Sequence, residues 1–537
     1  MTSSNLVEHA EIMITSNAVF TGTDNTPKPA SIAITGNKIV AVGNEDELKE
    51  RIGPHTQVYR YQDKLVMPGF NDLHLHVVPG CLMEDHVNLL GARSEQEVVA
   101  LVSEFAKSRP DDFWVQGYMW YHTKWDDPKL PHRASLDAVI PDRPIFLFHA
   151  SGHTVWVNSK ALEILGIDKN TPNPPHGEIM KDEFGEPTGI LYEAAASLAA
   201  KHAMNLTENR KRPVFGRFLN QAAELGITSL TDIFKVTDLE INEIELYEEF
   251  EQQDKLTSRI HFLIGLDADL ERAKYYRDKY QSGMLRFSGL KEFLDGVVTT
   301  HTANLVEPYT DIPEYCGPQV PEKMREYVLA ADQEGFRIRF HAVGDGAVRY
   351  ALDLFEEAQQ SNGIRDARHT IEHIEVVHPE DIPRFKELGV IASMQPEHME
   401  LINKKHYFSC IGEREQHTFA IRSLLDAGAK VVLNTDYPVV SLNPFLEIYR
   451  AITRVTGEGE LFNGGEAITL DEALKAYTTT AAYGIFREDE LGTLENGKLA
   501  DLIVVDCNLF QVPAERIKDA KVELTIMDGK IIFEKLT

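Results

Sequence analysis

Residues 68–76 read PGFNDLHLH, and this stretch carries the clearest structural and chemical pattern of the sequence. In an extended strand successive side chains point to opposite faces, so Asp72, His74 and His76 share one face and the intervening leucines share the other. Leucines toward surrounding helices and histidines toward the interior suit a strand of a closed barrel. Two imidazoles two residues apart can bind one cation from the same side, whereas a hydrogen-bonded histidine pair is the alternative.

Downstream of this stretch, short apolar runs alternate with helical segments, several of which end at glycine. Repeated strand–helix units predict an α/β fold with a parallel sheet. With KLVMPGF (residues 64–70) as the first strand there are eight, which predicts a (β/α)₈ TIM-type barrel with its chemistry at the C-terminal strand ends. The other seven are TSLTDIF, RIHFLIGL, LKEFLDG, RIRFHAVG, HTIEHIEVV, VIASMQP and VVLNTDYP.

Three parts of the chain are expected. Both ends are rich in β-branched residues broken by turn residues, so residues 1–65 and 486–537 are predicted to form one composite β-sandwich. Residues 66–485 would form the barrel. About 150 residues separate His76 from the second barrel strand, whereas one βα unit needs about 30. The surplus, residues 88–212, is therefore predicted to be a subdomain inserted over the barrel mouth.

The composition narrows the class of partner. Lys and Arg number 54 and Asp and Glu number 84, for a net charge of −30. A surface with this much negative charge repels phosphate backbones and anionic lipid. We therefore expect a small-molecule substrate, and neither nucleic acid nor membrane as a partner. Four scattered cysteines without a CxxC pair, and an N-terminal segment without a basic and then apolar region, favour a cytoplasmic location.

Three further strand ends carry metal-binding side chains. His341 ends RIRFH, His373 lies in HTIEHIE and Asp436 follows VVLNT. The 32 residues from His341 to His373 match one βα unit, and the 63 from His373 to Asp436 match two, with VIASMQP as an unliganded strand between. A single buried histidine is usually a core residue, but this set in barrel order predicts a divalent metal centre with His74 and His76.

Lys291 lies on the predicted fourth strand and shares a face with Phe293 and Asp295. A lysine inside a barrel is costly unless it is paired or chemically changed. A lysine made neutral by burial can react with carbon dioxide to give a carbamate, an anionic ligand that can bridge two metals. The alternative is a salt bridge to Asp295 or to another carboxylate.

With these motifs the chain resembles the amidohydrolase superfamily, and specifically its YtcJ-like branch, which includes N-substituted formamide deformylases. PGFNDLHLH, HAVGD, IEHIE and NTDYPV resemble the first-, fifth-, sixth- and eighth-strand segments, and LGTLENGKLADLIVV resembles the signature before the C-terminal sheet. HASGHTVWVNSKAL and GEPTGILYEAA resemble features of the branch. The resemblance implies a metal site of His74, His76, His341, His373 and Asp436, with Lys291 as a bridging ligand.

The implied reaction is hydrolysis of a C–N bond in an amide other than a peptide, such as an N-substituted formamide. One or two divalent ions, zinc being the expected one, would lower the pKa of a water to generate hydroxide and would polarise the carbonyl. Asp436 would accept the proton of the water and pass it to the departing nitrogen.

The substrate contacts are expected from two places. His149, His153 and Trp156 lie in HASGHTVW, which follows a short apolar strand, although packing and hydrogen bonding would explain them equally well. His301 stands after Asp295-Gly296 where this branch often carries an arginine. If that position touches the substrate, the charge preference differs from that of better-known members.

Two other functions remain open on the same fold. A single-metal deaminase would usually keep a glutamate three residues after the fifth-strand histidine and lack the fourth-strand lysine, whereas this chain has Gly344 and Lys291 there. A barrel that has lost catalysis and serves in binding or regulation would tend to lose metal ligands, and the expected ones are all present. Related barrels often pair, so the resemblance also implies a homodimer.

Overall fold

The computed structural model of the protein describes residues 9–150, 152, 154–174, 177–236, 239–321 and 323–535. Residue contacts divide the chain into two compact units. Unit 1 comprises Met1–His76, Arg217–Lys235 and Ile244–Thr537, and unit 2 comprises Val77–Gly216 and Val236–Glu243. The predicted insert, residues 88–212, lies within unit 2, which begins directly after His76 and takes in a second short segment.

Eight parallel strands form the barrel of unit 1, each paired with its neighbour in chain order. After the last strand the backbone returns to the first, where Asp436 N donates to His74 O at 2.8 Å and His76 N donates to Tyr437 O at 2.6 Å. The predicted α/β class and the eight-stranded barrel are therefore confirmed. The strands are β1 (Phe70–Leu75), β2 (Ile227–Ile233), β3 (Arg259–Gly265), β4 (Leu285–Phe293), β5 (Ile338–Ala342), β6 (Thr370–His373), β7 (Ile391–Met394) and β8 (Lys430–Leu433).

The first barrel strand begins later than the sequence predicted. Residues 65–68, assigned above to that strand, pair antiparallel with Leu502–Val505 of the C-terminal segment. The barrel strand starts only at Phe70, whose backbone N donates to Gly226 O at 2.9 Å, while Gly69 N donates to Asp501 O at 3.1 Å. An apolar run shows that a strand is buried but does not identify the sheet that it joins.

Both ends of the chain contribute to one seven-stranded sheet, as the prediction of a composite module required. Hydrogen bonds join all seven strands into one sheet, and the β-sandwich stays a prediction. Its main apolar cluster draws on both ends of the chain and includes Ile14, Ile34, Leu502 and Ile526. The strand order is Lys530–Glu534, Val522–Met527, Leu502–Val505, Gln57–Pro68, Ile12–Val19, Lys28–Thr35 and Lys38–Gly43.

Helices of unit 1 cover the outside of the barrel through apolar and aromatic contacts. Phe355 stacks on Phe340 of β5 with ring centroids 5.4 Å apart, and Tyr276 meets Phe262 of β3 at 5.8 Å. Besides Glu45–Leu48 near the terminal sheet, the α-helices are Ile244–Gln252, Glu271–Lys279, Met324–Gln333, Asp345–Asn362, Ile382–Glu387, Lys404–Ile411, Ile421–Asp426, Pro444–Thr453, Leu470–Tyr477 and Thr479–Gly484. Short 3₁₀ helices span Lys49–Arg51, Val298–Thr300, Pro379–Asp381, Pro396–Glu400, Gly412–His417, Gly464–Glu466 and Ala514–Asp519.

Unit 2 has its own six-stranded mixed sheet and its own core. The core gathers three tryptophans, Trp120, Trp125 and Trp156, with aliphatic residues such as Val98 and Leu147. The sheet order is Val87–Asn88, Val115–Trp120, Ile145–His149, Thr154–Val157, Pro187–Glu193 and Gly177–Lys181. Its helices are Val77–Asp85, Glu95–Ser108, Arg133–Asp137, Ser159–Leu165 and Ala194–Ala203, and Lys211–Glu224 leads into β2.

None of the helices in the described parts of the chain has both the length and the apolar character needed to cross a bilayer.

Candidate metal centre

The residues predicted to bind metal lie at the C-terminal ends of five barrel strands, where a (β/α)₈ barrel carries its chemistry. They are buried, except for His341, which is partly exposed. Their positions are His74 on β1 and His76 just after it, Lys291 on β4, His341 on β5, His373 at the end of β6 and Asp436 after β8.

The Asp436 carboxylate is the point on which the imidazoles converge. Its Oδ1 lies 3.2 Å from Nε2 of His74 and 3.4 Å from Nε2 of His76. Its Oδ2 lies 3.5 Å from Nε2 of His398 and 4.0 Å from Nδ1 of His373. His74, His373 and Asp436 each offer a ligand atom, and these atoms lie within 4.8 Å of one another.

The donor atoms of this cluster fit a divalent cation. Asp436 Oδ1 and His398 Nε2 are buried and have no hydrogen-bond partner of acceptable geometry among the described residues. A buried polar group without a partner costs about 1–3 kcal/mol, so such atoms are rarely left without one. Imidazole nitrogens and a carboxylate oxygen are ligands that zinc and related ions take, and one cation would satisfy several of these atoms together.

The local electrostatics favour the ligating protonation states of Asp436 and His373 but not of His74. Burial acts to lower the pKa of His74, but Glu372 and Asp436 outweigh it and raise that pKa. Burial acts to raise the pKa of Asp436, but His74 and His76 outweigh it and hold that pKa well below its usual range. Burial, reinforced by the neighbouring His341, lowers the pKa of His373 well below the usual value. Ionised carboxylates and neutral imidazoles are the forms that bind metal.

His341 lies beside this convergence. Its ring centroid is 4.4 Å from that of His373, and it stacks on Phe293 at 4.7 Å. Its Nε2 lies 3.2 Å from Gly296 O and 3.8 Å from Asp295 Oδ1. Burial and the Lys291 charge lower the pKa of His341 to about 3, so this imidazole is also neutral.

Lys291 is fully buried, and its ammonium group donates to Glu372 of β6. The same carboxylate lies 2.5 Å from Nδ1 of His74 and 3.5 Å from Nη1 of Arg339. Burial would raise the pKa of Glu372, but His74 and Lys291 hold it well below its usual range. Glu372 was not among the residues predicted from the sequence, although HTIEHIE places this charged residue directly before His373 on a predicted strand.

Asp295, the first partner considered for Lys291, has other partners. Its oxygens accept hydrogen bonds from the backbone N of Val343, Gly344 and Asn304 at 2.8–2.9 Å. Burial raises its pKa to about 7 despite these bonds. Asp295 therefore ties the segment after β4 to the segment after β5.

The strand predicted to carry no ligand also contributes to the cluster. Gln395, directly after β7, lies with Oε1 2.9 Å from Nδ1 of His373 and so orients that ring. His398 follows in Pro396–Glu400 and reaches Asp436 as described. Both stand at a barrel strand end, which was the available sequence signal.

Two of the residues predicted to contact substrate, His149 and Trp156, belong to unit 2. His149 ends a strand of unit 2, where its Nε2 is 3.3 Å from Nδ1 of His122 and its ring packs on Trp120 at 4.4 Å. Trp156 is fully buried in the core of that unit, the packing role that the sequence left open. His153 lies outside the described residues.

His301 belongs to unit 1 but lies in the loop after β4, beside Asp311. No contact between His301 and the Asp436 cluster is found among the described residues. The substrate-binding assignments of His149, His153, Trp156 and His301 therefore stay predictions.

Comparison with known proteins gives matches along the chain. A family model described as the amidohydrolase family matches residues 62–533. Protein LONG AFTER FAR-RED 3 of Arabidopsis thaliana is 30% identical over 98% of this chain and 92% of its own length. YtcJ of Bacillus subtilis (strain 168), named as an amidohydrolase, is 27% identical over 96% and 98%. The N-substituted formamide deformylase of Arthrobacter pascens is 28% identical over 94% and 95%.

A solved structure has the same fold. It is described as an uncharacterized metal-dependent hydrolase from Pyrococcus furiosus, with a TM-score of 0.73 and 26% identity. The match covers 92% of this chain and 98% of that one.

Proposed function

Since the chain belongs to the amidohydrolase family, we propose that it is a metal-dependent hydrolase that cleaves the C–N bond of a small non-peptide amide. The resemblance to the YtcJ-like branch and its formamide deformylases is confirmed by relatives that match nearly the whole chain. The observation that carries the proposal is the convergence of His74, His76 and His373 on the ionised Asp436 carboxylate. N-substituted formamides are the substrate class proposed first, because the deformylase relative acts on them by name.

We propose zinc as the metal, held by residues at the strand ends around Asp436. When bound, a divalent ion supplies an activated water and a polarised substrate carbonyl. A hydrogen bond from His373 to Gln395 orients that imidazole, and the Glu372 carboxylate lies 2.5 Å from Nδ1 of His74. The residues proposed to hold the metal are His74, His76, Lys291, His341, His373 and Asp436.

Asp436 is proposed to move the proton of the reaction. Its carboxylate is ionised and lies at the centre of the imidazole cluster, so it can accept a proton from the attacking water. Passing that proton to the nitrogen lets the amine leave as a neutral group. The imidazoles of His74 and His76 lie 3.2 Å and 3.4 Å from Oδ1, so the proposed proton carrier stands beside two of the proposed metal ligands.

Lys291 is proposed to serve as the bridging ligand after carboxylation. Burial lowers the pKa of its amine, although Glu372 opposes that change. A lowered pKa makes the neutral amine, the form that reacts with carbon dioxide, more accessible. The Lys291 amine lies within ion-pair distance of the Glu372 carboxylate, so that contact has to be released for the reaction.

A substrate panel tests this function. The zinc-loaded protein is incubated with N-substituted formamides, N-acetyl amines of the same amines, and amino-purines, and formate, acetate and ammonia are measured separately. Formate release that is lost in Asp436→Asn supports the formamide proposal. Acetate release without formate would move the substrate class to other amides, and ammonia release alone would favour the deaminase alternative.

A further inference from the structure

A second group of metal-binding side chains lies apart from the centre at Asp436. His301, Asp311 and Cys410 each offer a ligand atom, and these atoms lie within 4.8 Å of one another. His301 and Asp311 belong to the loop after β4, and Cys410 lies on the helix Lys404–Ile411 after β7. All three belong to unit 1. The function proposed above uses none of them, and only His301 was predicted to contact the substrate.

The spacing of these atoms is close to that of a zinc site. His301 Nε2 lies 2.9 Å, and Cys410 Sγ lies 3.6 Å, from Oδ2 of Asp311. Ligand atoms of a tetrahedral zinc ion, bound at about 2.0–2.3 Å, lie roughly 3.3–3.7 Å from one another. Side-chain shifts of a few tenths of an ångström would therefore bring the two contacts to that spacing.

His406 stands one helical turn from Cys410, outside the group of ligand atoms that lie within 4.8 Å of one another. His406 and Cys410 are four residues apart on Lys404–Ile411, so they share a face of that helix. The ring centroid of His406 is 6.4 Å from that of His301, and its Nε2 lies 3.1 Å from Thr299 O in the same loop. One cysteine, two histidines and one aspartate make up a set of four that suits zinc.

A cation would have to reach a buried thiol and displace its proton. The Cys410 side chain is buried, whereas Asp311 is exposed and leaves a path from solvent. Burial and the Asp311 carboxylate raise the pKa of Cys410 to about 11, so without a cation the thiol keeps its proton. Binding of a metal would replace that proton, which would pass to solvent.

We propose that His301, Asp311 and Cys410, with His406 as the fourth donor, form a second site for a thiolate-binding divalent cation such as Zn²⁺. The site fastens the loop after β4 to the helix after β7. Backbone bonds already join the same segments, since Thr310 N donates to Cys410 O at 2.8 Å. Because Asn304 of this loop binds Asp295 near the metal centre, a bound ion would also hold one wall of that centre.

Cobalt is the probe, because a thiolate–cobalt bond produces a near-ultraviolet charge-transfer band that imidazole and carboxylate ligands do not produce. The full chain is reduced, stripped of metal and titrated with Co²⁺. None of the other three cysteines belongs to a metal-binding group found in the described ranges, so the band would report on Cys410. We expect one thiolate-bound cobalt per chain at saturation.

Matched variants separate the site from accidental binding. Cys410→Ser should abolish the band, whereas Cys316→Ser, a change in the same loop as Asp311, should leave it unchanged. Asp311→Asn keeps the side-chain shape at an exposed position and should weaken cobalt binding at the thiolate even if Cys410→Ser fails to fold. The proposal is overturned by the absence of a band at saturating Co²⁺, by a band that persists in Cys410→Ser, or by loss of the band in folded Cys316→Ser.

Discussion

Nδ1 of His74 lies 2.5 Å from Oε2 of Glu372. A central imidazole of the candidate metal centre therefore contacts a buried carboxylate of the sixth strand. The same carboxylate receives the Lys291 ammonium and lies 3.5 Å from Arg339. Glu372 therefore links the metal cluster to the two buried cations beneath it.

Neutralising Glu372 should destabilise the fold strongly. In metal-free protein, in which Lys291 is not carboxylated, Glu372→Gln leaves Lys291 and Arg339 as buried cations without their anion, and breaking a buried ion pair on one side costs about 3–5 kcal/mol. Urea unfolding followed by circular dichroism measures the change in the free energy of unfolding. Glu357→Gln, which removes the partner of the largely exposed Arg325, is the control and should leave the midpoint unchanged. An equal effect of the two substitutions would contradict a special role for Glu372.

Asp436→Asn should lower kcat by about 10²–10⁴-fold, because the amide can neither accept nor deliver the proton. Asparagine keeps the size of the side chain, so the fold should persist. Steady-state kinetics on the best formamide of the panel measure the effect. Asp353→Asn, which changes an exposed partner of Arg384, is the control and should leave kcat unchanged. Retention of kcat in Asp436→Asn would exclude Asp436 as the proton carrier.

Metal content should depend on Lys291. The count is made in Cys410→Ser, so that the second site does not contribute, on protein purified with bicarbonate and without chelator. About two zinc ions per chain are expected from a carbamate-bridged centre, and Lys291→Ala should lower the count. Elemental analysis provides the measurement. One ion per chain in both proteins would leave Lys291 with the ion-pair role seen beside Glu372. No ion, even after added zinc or manganese, would exclude the hydrolase mechanism.

Arg259 should hold the barrel to the terminal sheet. Its guanidinium binds Asp501 through Nε and Nη2 at 3.1 Å, and Nη2 also donates to Asp528 at 2.8 Å. Arg259→Met would leave Asp501 buried without its cation, at a cost of about 3–5 kcal/mol.

The unfolding midpoint in urea measures this cost. Lys530→Met removes an exposed ion pair with Asp254 and serves as the control, with no measurable change expected. Since neither residue lies at the metal cluster, both variants should keep the wild-type kcat when folded. A midpoint that is unchanged in Arg259→Met would show that this network adds no stability.

Much of the barrel could be predicted from local patterns. RIHFLIGL and RIRFHAVG are short apolar runs between helical segments, and both are barrel strands in the structure. The position of a polar residue at the end of such a run was enough to predict where His341, His373 and Asp436 would lie. Parallel strands of a barrel present their C-terminal ends at one rim, so order along the chain translates into proximity.

Other features depended on partners far away in sequence. Residues 65–68 were assigned to the wrong sheet, because pairing with Leu502–Val505 is decided by contacts across more than 400 residues. Glu372 was not predicted as a site residue, because the role of a charged residue on a strand depends on the cations that it contacts in the folded chain. Here these are Lys291 and Arg339.

The sequence by itself determined the class of fold and predicted which strand ends carry the candidate metal ligands, because side-chain alternation and strand-end position are local properties of the chain. Tertiary structure alone decided which atoms meet. It placed His398 beside Asp436 and paired Lys291 with Glu372. It also brought Cys410, on the helix after β7, close to His301 in the loop after β4. The physical reason is that ion pairing, metal ligation and burial depend on distances of a few ångströms between residues that the chain separates widely.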